Sequence, residues 1–482
     1  MSVRDIEMRE GALPFTHQRS YDNLKQLNQD GLNGFGWETT QLAKTEHHPG
    51  YYYRTTFAGD DTVNFNLTAD SLGIYRAEKD FPDTMTIDIV NKTFVVTRSD
   101  LSVWTFSNDP NGTVPQGLPK TVVTASGDAT EFLYTSGRLT KIRAYRINAA
   151  NTLAELDYIY EGDRISQIVR NIPIGSTLQP EKRVTYTYHT GSDTFGNFGD
   201  LKTVVTEICQ NGTWGSAETY HYRYYKSGDA KGKTHALKMA IFPAEFTLFA
   251  ATYGNPACLS IADTTALGYS TKYYEYDGNQ RVILERVERN RKVISFEYTE
   301  YPDNNDFNTV HRKTVETRPQ GNKNIVFTNF QGNVLLREEV PPVGSAEPSS
   351  IQFFQYNADG HRSHDYSPKA VLGYSVKVGT PTTLTVTLAA NDGKIEFREY
   401  GNGTNAPKST VIRESIKKGT AGTTIVLKEY AYEKRQIDSR IVWKKTKDTQ
   451  YAGETQNLAV VVQYAYQYHT NSLEVSQRLF GK

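Results

Sequence analysis

Cysteine is scarce in this sequence, and its scarcity excludes a disulfide-stapled fold. Only Cys209 and Cys258 occur among 482 residues, which is too few for a disulfide framework. A single bridge between them is one alternative, and two small buried apolar residues are the other. No cluster of cysteine and histidine has the spacing of a structural zinc site, so we expect no metal and no cofactor. The adjacent His47 and His48 stand before a Pro-Gly pair and are expected in a loop.

Long apolar runs and an excess of one charge are also missing. No window approaches the roughly 18 apolar residues of a membrane-spanning helix. The first residues, MSVRDIEMREGALPF, hold no apolar segment of the signal-peptide kind. Lys and Arg total 54, as do Asp and Glu, so the basic footprint of a nucleic-acid-binding protein is absent. We therefore expect no membrane span, no signal peptide in this chain and no nucleic acid partner.

Aromatic residues, and tyrosine above all, are plentiful. The sequence has 32 Tyr against 4 Met and 4 Trp. Aromatic and β-branched side chains suit the pleated, half-buried surface of a β-sheet. Tyrosine adds a polar tip to an apolar body, which lets it line wet surfaces as well as cores. The composition predicts a β-rich protein whose tyrosines lie on sheet surfaces.

Pairs of aromatic residues separated by a single residue recur along the chain. In a strand, residues i and i+2 point to the same face, so each pair sets two rings side by side on a sheet. A helix would place the same two rings about 200° apart. The series therefore predicts a repeated strand. Its members are Phe132/Tyr134, Tyr158/Tyr160, Tyr186/Tyr188, Tyr220/Tyr222, Tyr274/Tyr276, Phe296/Tyr298, Phe354/Tyr356, Tyr430/Tyr432 and Tyr464/Tyr466.

A turn and a second strand follow several of these pairs. The segments FLYTSGRLTKI, YIYEGDRISQI and YEYDGNQRVIL align as an aromatic pair, a polar turn with glycine, an arginine and an aliphatic residue. The Asp-Gly step in the third segment favours a tight turn, because glycine accepts positive φ without steric cost. The sequence thus predicts β-hairpins used repeatedly. The repeat positions are Tyr134, Gly137, Arg138, Leu139, Tyr160, Gly162, Arg164, Ile165, Tyr276, Asp277, Gly278 and Arg281, with Tyr356 and Gly360 in FQYNADGHRSHDY.

Two stretches depart from the hairpin pattern. Residues 242–270 are rich in alanine, and Pro243 suits the first turn of a short helix that the Gly-Asn-Pro at 254–256 would end. Residues 341–350, PPVGSAEPSS, have the composition of an exposed linker. Because the aromatic pairs resume at Phe354, we favour a long loop there. The predicted divisions are 1–125 (a β-rich N-terminal region), 126–340 (a hairpin array with a helical insertion at 242–270) and 351–482 (the continuing array).

The hairpin motif resembles the Tyr-Asp-x-x-Gly-Arg-Leu motif of the YD-repeat, or RHS-repeat, proteins. That family includes bacterial RHS proteins, the cocoon-forming components of Tc insecticidal toxins and animal teneurins. The segments GALPFTHQRSYDN and GLNGFGWETT resemble the N-terminal region common in such proteins. The residues that match this N-terminal motif are Arg19, Tyr21, Gly34, Gly36 and Trp37.

This sequence departs from the family pattern in two respects. Literal Tyr-Asp steps occur only at Tyr21 and Tyr276, so the repeats are degenerate. The Asp-Pro-x-Gly-Leu region of toxin-type members, which holds a self-cleavage site, is not found near the C-terminus. Complete shells in the family are usually much longer, so we expect this chain to be part of a shell or a fragment of a longer polypeptide.

The resemblance implies an all-β fold in which hairpins join edge to edge into a long, curved, spiralling sheet around a hollow interior. It implies a structural role: part of a shell that encloses a polypeptide cargo, completed by further YD-repeat segments or chains, outside the cell or at its surface. The alternative is an extracellular surface or adhesion module that binds glycans, or a fibre module that self-assembles through its open strand ends. Stacking of the tyrosines on sugars is the form that glycan binding would take. Regular i, i+2 spacing favours sheet packing over glycan binding.

Catalytic signatures are weak. No motif singles out a pair of carboxylates, and neither a nucleophile elbow nor a phosphate-binding loop is present. Glu285 and Glu288 lie among nearby arginines and are expected in a cross-strand charge ladder. We therefore expect no catalytic residues, and an enzyme acting on polysaccharide is the least favoured alternative.

Overall fold

The computed structural model describes residues 1–23, 30–40, 42–57, 61–77, 82–147, 149–302, 305–437, 440–452, 458–468 and 475–481. Strands account for 57% of the structure and helices for 6%, so the all-β prediction is confirmed. The chain forms two compact units, Met1–Lys292 and Val293–Lys482. The division of the sequence at 125, 340 and 351 remains a prediction.

Short strands that form small antiparallel sheets begin the first unit. They are β1 (Ser2–Met8), β2 (Phe15–Tyr21), β3 (Asp30–Gly31), β4 (Gly34–Phe35), β5 (Trp37–Thr39), β6 (Lys44–His48), β7 (Tyr52–Thr56) and β8 (Thr62–Asn66). Strand β2 lies between β1 and β5, β3 pairs with β4, and β7 lies between β6 and β8. The loop prediction for His47 and His48 is wrong, because both belong to β6 and pair with Tyr53 and Tyr52. The chain turns after them, at residues 49–51.

An antiparallel meander forms the body of the first unit, since each of its strands pairs with the next along the chain. The strands are β9 (Ile74–Arg76), β10 (Thr84–Asp88), β11 (Thr93–Thr97), β12 (Val103–Ser107), β13 (Pro119–Val123), β14 (Asp128–Thr135), β15 (Arg138–Arg146), β16 (Ala149–Glu161), β17 (Arg164–Ile174), β18 (Thr177–Tyr188), β19 (Leu201–Gln210), β20 (Thr213–Tyr224), β21 (Leu237–Ile241), β22 (Lys272–Tyr276) and β23 (Val282–Val287).

A helical insertion separates β21 from β22, as the sequence predicts. It consists of α1 (Pro243–Tyr253), α2 (Asp263–Ala266) and two short 3-10 segments, Ala257–Ser260 and Leu267–Tyr269. Proline lies in the first turn of α1, and Gly254 ends it with a φ of 82°, which a residue with a side chain rarely adopts. Phe246 and Phe249 of α1 are buried against the end of the sheet.

One face of the meander carries the core of the first unit. In β16 the buried apolar residues Ala154, Leu156 and Tyr158 lie two residues apart and so share one face. Opposite-charge pairs lie across the neighbouring strands: Arg143 contacts Glu155 at 2.7 Å. Cross-strand pairs of this kind fix the register of the sheet.

The second unit is a further antiparallel array. Its strands are β24 (Lys292–Glu300), β25 (Arg312–Thr317), β26 (Lys323–Thr328), β27 (Val334–Val340), β28 (Ser350–Tyr356), β29 (Arg362–Tyr366), β30 (Val371–Lys377), β31 (Thr383–Leu388), β32 (Lys394–Tyr400), β33 (Val411–Lys418), β34 (Ile425–Ile437), β35 (Arg440–Ala452), β36 (Leu458–Tyr468) and β37 (Val475–Gly481). A short 3-10 segment, Pro368–Ala370, precedes β30.

A hairpin made of β30 and β31 interrupts this second array. Strands β30 and β31 pair only with each other among the described strands, and β29 pairs instead with β32. Tyr374 of β30 packs edge-on against Phe327 of β26, with ring centroids 5.6 Å apart. Residues 341–349 form a loop between β27 and β28, which pair directly with each other. Val343 in that loop is fully exposed.

Candidate functional site

A β-bulge precedes the second tyrosine of the motif hairpins. The register of β14 and β15 shifts just before Tyr134, and equivalent shifts precede Tyr160, Tyr276 and Tyr356. A bulge adds one residue to one strand, bends it and increases the local twist. Each hairpin therefore turns at the same place relative to its tyrosine.

The bulge also corrects one assignment of the aromatic pairs. In the segment YHYRYY the register shift lies between Arg223 and Tyr224. Tyr224, rather than Tyr222, therefore holds the position of the second tyrosine. Alternation alone could not distinguish them, because Tyr220, Tyr222 and Tyr224 all lie two residues apart on one face.

The second tyrosines of several hairpins make the same hydrogen bond to the preceding hairpin, which we call the tyrosine joint. The hydroxyl of Tyr160 donates to the backbone carbonyl of Leu139 at 2.8 Å, and that of Tyr188 to Ile165 at 2.6 Å. In both cases the acceptor is the residue after the motif arginine of the preceding hairpin, Arg138 or Arg164, so the joint ties one hairpin to the one before it. Burial raises the pKa of Tyr160 to about 12, which keeps its hydroxyl protonated as a donor.

Tyrosine joints occur in both units. Their separations along the chain are 21 residues for Tyr160 and 23 for Tyr188. In the second unit Tyr356 bonds the carbonyl of Val334, 22 residues earlier, at 2.8 Å. Tyr466 bonds the carbonyl of Lys445, 21 residues earlier, at 2.7 Å. The recurring separation is about one hairpin.

Two joints reach across the insertions. Tyr276 donates to the carbonyl of Leu237 at 2.8 Å over a separation of 39 residues, and the helical insertion lies between them. Tyr400 donates to the carbonyl of Arg362 at 2.8 Å over 38 residues, and the hairpin of β30 and β31 lies between them. In each unit the joint is therefore kept although the intervening chain is longer.

The motif arginine Arg138 contacts the turn of the next hairpin. Arg138 bonds the carbonyl of Gly162 and the carboxylate of Asp163 in the next turn. Its guanidinium lies 5.7 Å from the ring centroid of Tyr160, within reach of a cation–π contact. Arg164 repeats this arrangement over Tyr188 at 5.5 Å. The arginine of one hairpin thus covers the tyrosine of the next.

The turn after Tyr276 differs from the expected Asp-Gly turn. It is a longer turn, in which the Asp277 carboxylate accepts the backbone N–H groups of Asn279 and Arg281, both at 2.9 Å. The left-handed residue is Gln280, with a φ of 64°, and not Gly278. Positive φ does fall on the turn glycines Gly137, Gly162 and Gly360. The third hairpin is therefore stabilised by the aspartate side chain, a typical role for Asp in turns.

A buried ion pair organises the N-terminal motif. Arg19 is completely buried, and its Nε donates to both oxygens of Asp5, at 3.0 and 2.8 Å. Its Nη1 donates to the hydroxyl of Tyr222 at 2.6 Å, while Tyr186 donates to Asp5 at 2.9 Å. Burial alone would lower the pKa of Arg19, but Tyr222 and Asp5 outweigh it and raise the pKa. The guanidinium also faces the ring of Trp37 at 4.9 Å.

The other motif residues hold the N-terminal strands against β20 and β21. Trp37 donates its Nε1–H to the hydroxyl of Tyr224 at 2.8 Å. The hydroxyl of Tyr21 donates to the carbonyl of His235 at 3.0 Å and accepts the N–H of Leu237 at 2.7 Å. A Cβ at Gly36 would lie 2.5 Å from the Tyr21 ring, and one at Gly34 would lie 2.4 Å from the carbonyl oxygen of Gly199. The structure thus places four of the motif residues against the hairpin array, and the fifth, Gly36, against Tyr21.

The remaining candidate groups are the two cysteines and the glutamates near Arg286. Cys209 and Cys258 are unpaired. No group of three or more metal-ligating side chains occurs in the part of the chain that the structure describes. Glu285 bonds Lys272 across the strands at 3.2 Å, as expected for a ladder. The ladder prediction is wrong for Glu288, which lies in a turn with a φ of 51°. Within the described ranges, no helix is long and apolar enough to cross a membrane.

Comparison with known proteins gives structural likeness at low identity. No family model and no curated protein matches this sequence. The N-terminal domain of effector protein SpvB from Salmonella typhimurium strain LT2 is 10% identical over 46% of this chain and 99% of that domain, with a TM-score of 0.32. The TcdB2-TccC3-Cdc42 structure is 10% identical over 100% of this chain and 31% of that one, with a TM-score of 0.27. TcdB2-TccC3 without its hypervariable C-terminal region is 10% identical over 98% and 27%, with a TM-score of 0.19.

Proposed function

We propose that this chain is a non-catalytic structural protein whose hairpins form part of a β-shell around a polypeptide cargo. The observation that carries the proposal is the tyrosine joint, which recurs in both units and is kept across an insertion in each. A contact that recurs between successive hairpins is what a continuous wall requires. Three further parts of the proposal rest on the resemblance of the hairpin and N-terminal motifs to those of YD-repeat proteins. They are the shell, the polypeptide cargo and an extracellular or cell-surface location.

The hydrogen bonds and burial of the tyrosines support a wall rather than a glycan-binding surface. The hydroxyls of Tyr160, Tyr188 and Tyr276 donate to backbone carbonyls within the array. Tyr276 is also 4% exposed, so its ring is not available to stack on a sugar. A glycan platform needs exposed rings with free polar groups beside them, and these tyrosines provide neither.

Electron microscopy of the purified chain tests the wall. We expect a particle bounded by a thin curved sheet, with a region free of density on its concave side. A filled globule would contradict the shell, and polymeric fibres would support the alternative of a self-assembling module. Further YD-repeat segments or chains are expected to complete the enclosure.

Protease sensitivity tests whether the protein encloses a polypeptide. A lysine-rich unstructured segment added after Lys482 is expected to be cut by trypsin several-fold more slowly than the same segment attached to an unrelated soluble protein. Equal cleavage rates would contradict enclosure of a polypeptide while leaving the wall itself intact. The two experiments therefore test the curved wall and the enclosure of a polypeptide independently.

A further inference from the structure

The helical insertion of the first unit, residues 243–269, lies against one face of the sheet, and we call it the flap. Met239 and Ile241 of β21 and Tyr273 of β22 are buried in one apolar cluster with Phe249 of α1. Both ends of the flap are fixed on β21 and β22, which pair with each other. Movement of the flap alone would therefore leave this pairing intact and expose the apolar residues of the sheet beneath it.

A buried arginine of β20 binds the flap to the sheet. Arg223 is completely buried, and its Nη1 donates to the carbonyl of Ile261 at 2.7 Å and to the carboxylate of Asp263 at 2.9 Å. Its Nη2 donates to the carbonyl of Leu259 at 3.3 Å. Three acceptors of the flap thus converge on one guanidinium, whose N–H donors lie in a fixed fork.

The remaining N–H of that guanidinium is bound by His221, two residues earlier on the same face of the strand. Nε of Arg223 donates to Nε2 of His221 at 3.1 Å. Nδ1 of His221 lies 3.0 Å from the carbonyl of Lys202, which can only accept. The proton of the imidazole therefore lies on Nδ1, and Nε2 is the acceptor. The contact with Arg223 requires the neutral form of His221.

Protonation of His221 would remove this contact. The added proton would occupy Nε2, so that two N–H donors and two positive charges would meet at 3.1 Å in a buried space. Burial lowers the pKa of His221 well below its ordinary value, and the charge of Arg223 lowers it further. The closed form therefore resists protonation, whereas an opened form in contact with water takes up a proton near the ordinary value of about 6.5.

The charged groups on the β19 side of His221 act in the same direction. His189 lies 6.5 Å away between ring centroids, and both it and the Lys202 ammonium lower the pKa of His221. The hydrogen bond to the Lys202 carbonyl opposes these effects without outweighing them. Asp193, the carboxylate on this side, contacts His189 and Lys202, each at 3.2 Å.

The flap itself carries two charged side chains, Glu245 and Asp263. Asp263 contacts Arg223 at 2.9 Å and Lys238 at 2.7 Å. Glu245 accepts a hydrogen bond from the hydroxyl of Thr271 at 3.1 Å. Both carboxylates thus have partners of their own, and neither is placed as the counter-charge of a protonated imidazole.

We propose that the helical insertion is an acid-sensitive flap, which Arg223 binds to the sheet only while His221 is neutral. In mild acid the flap opens and His221 takes up a proton, while the meander beneath keeps its strand pairing and exposes its apolar residues. The inference concerns one segment of the first unit and does not depend on the wall role.

Hydrogen exchange of the whole chain, measured by mass spectrometry between pH 7.5 and pH 5, tests the proposal. After correction for the intrinsic exchange rate, peptides from 243–269 report the opening of the flap. Uptake of one proton on opening raises the opening constant by up to about tenfold per pH unit below 6.5. We therefore expect the flap to open about tenfold or more often at pH 5 than at pH 6.5.

Peptides from β16 and β17 provide the internal comparison, because these strands lie in the core and open only when the unit unfolds. They are expected to remain about tenfold or more better protected than the flap at pH 5. Equal protection of the two regions at every pH would show that the flap opens only with the whole unit, and it would overturn the proposal. Flap protection that does not change with pH would overturn it as well.

Two variants distinguish the titrating residue from the anchor. His221→Gln keeps an acceptor oxygen near Arg223 but cannot be protonated in this range, so the increase of flap opening in acid is expected to be largely lost. Asp263→Asn weakens the anchor from the side of the flap. It is expected to increase flap opening by about tenfold or more at every pH, while the dependence on pH stays. Asp263→Asn and the unaltered protein test the anchor and the acid response even if His221→Gln does not fold.

His17→Gln is the matched control, since it replaces another buried histidine that lies in β2. It is expected to leave the pH dependence of flap opening unchanged. A pH dependence in His221→Gln as steep as that of the unaltered protein would overturn the proposal. Loss of that dependence in His17→Gln would also overturn it, because the acid response would then belong to a different histidine.

Discussion

The hydroxyl of Tyr160 donates a 2.8 Å hydrogen bond to the carbonyl of Leu139, which belongs to the preceding hairpin. The same contact recurs at a separation of about one hairpin in both units. Strand pairing alone joins neighbouring strands. This bond instead joins the start of one hairpin's second strand to the tyrosine of the next hairpin, and so sets where successive turns lie.

Removal of the Tyr160 hydroxyl tests the strength of one joint. We expect Tyr160→Phe to lower the free energy of unfolding by about 1–3 kcal/mol, because the carbonyl of Leu139 is left partly buried without its donor. Urea denaturation measures the change. Tyr134→Phe is the matched control, since it removes an equivalent hydroxyl that has no partner among the described residues. That control is expected to cost nothing, and an equal loss in both variants would contradict the role of the joint.

The buried ion pair of the N-terminal motif gives a second prediction. Arg19→Met is expected to lower the free energy of unfolding by about 3–5 kcal/mol, because the Asp5 charge is then buried without its partner. Adding Asp5→Leu is expected to recover a large part of that loss, since the uncompensated charge is removed as well. Urea denaturation of the single and double variants measures the coupling.

An exposed pair provides the comparison for Arg19. Arg146 contacts Asp128 at 3.0 Å, but its side chain is 65% exposed. Arg146→Met is therefore expected to cost less than about 1 kcal/mol. A loss at Arg19 as small as that at Arg146 would show that the N-terminal motif does not depend on its ion pair.

Two glycines with similar φ values allow the cost of backbone strain to be distinguished from the cost of a steric contact. Gly36 has a φ of 74° and Gly50 a φ of 80°, so an alanine at either position costs roughly 1–2 kcal/mol in the left-handed region. A Cβ at Gly50 meets nothing within 4 Å, whereas one at Gly36 meets the ring of Tyr21 at 2.5 Å. Gly36→Ala is therefore expected to lose about 1–3 kcal/mol more than Gly50→Ala. Thermal unfolding of both variants measures the difference, and equal losses would contradict the packing of Gly36 on Tyr21.

Buried histidines predict instability in mild acid. Burial lowers the pKa of His17, His189 and His221, and Arg223 lowers that of His221 further. Below the ordinary value of 6.5, the unfolded chain binds protons that the folded chain does not, so stability falls as pH decreases. The loss continues until pH reaches the folded-state pKa of each histidine. Each group contributes at most about 1.4 kcal/mol per pH unit.

Urea midpoints between pH 7.5 and pH 5 measure this dependence. Replacing His221 by Asn removes one of the groups and is expected to reduce the slope of stability against pH. The variant is compared with itself across the range, so its stability at pH 7.5 does not affect the result. A slope as steep as that of the unaltered protein would show that His221 does not resist protonation.

Local signals in the sequence were sufficient for the strands and the helical insertion. Alternating aromatics specify a strand face, and Pro243 with Gly254 specifies the bounds of α1, because both effects act within a few residues. The same kind of signal failed at His47 and His48, where the neighbouring Pro-Gly pair suggested a loop and the strand pairing with β7 decided the structure. Tertiary pairing overrides weak local preference in sheets.

Contacts between residues far apart in the sequence could not be predicted from its patterns. Arg19 is separated by 203 residues from Tyr222, to which it donates, and by 14 from Asp5. Nothing in the spacing of these residues indicates that they meet. The sequence also does not indicate which carbonyl accepts each tyrosine joint, because every residue carries a carbonyl. Only the bulge, which no residue type marks, selects Tyr224 over Tyr222 as a second tyrosine.

The joint of Tyr276 with Leu237 spans 39 residues, against 21 for Tyr160 with Leu139. The joint therefore depends on which strands are neighbours in the sheet, and not on the number of residues between them. Extra chain between two joined strands leaves the sheet unchanged as long as its ends return to neighbouring positions, and lengthening such a loop costs little entropy. Each connection between neighbouring strands is thus a site at which a segment can be inserted while the pairing of the strands is kept.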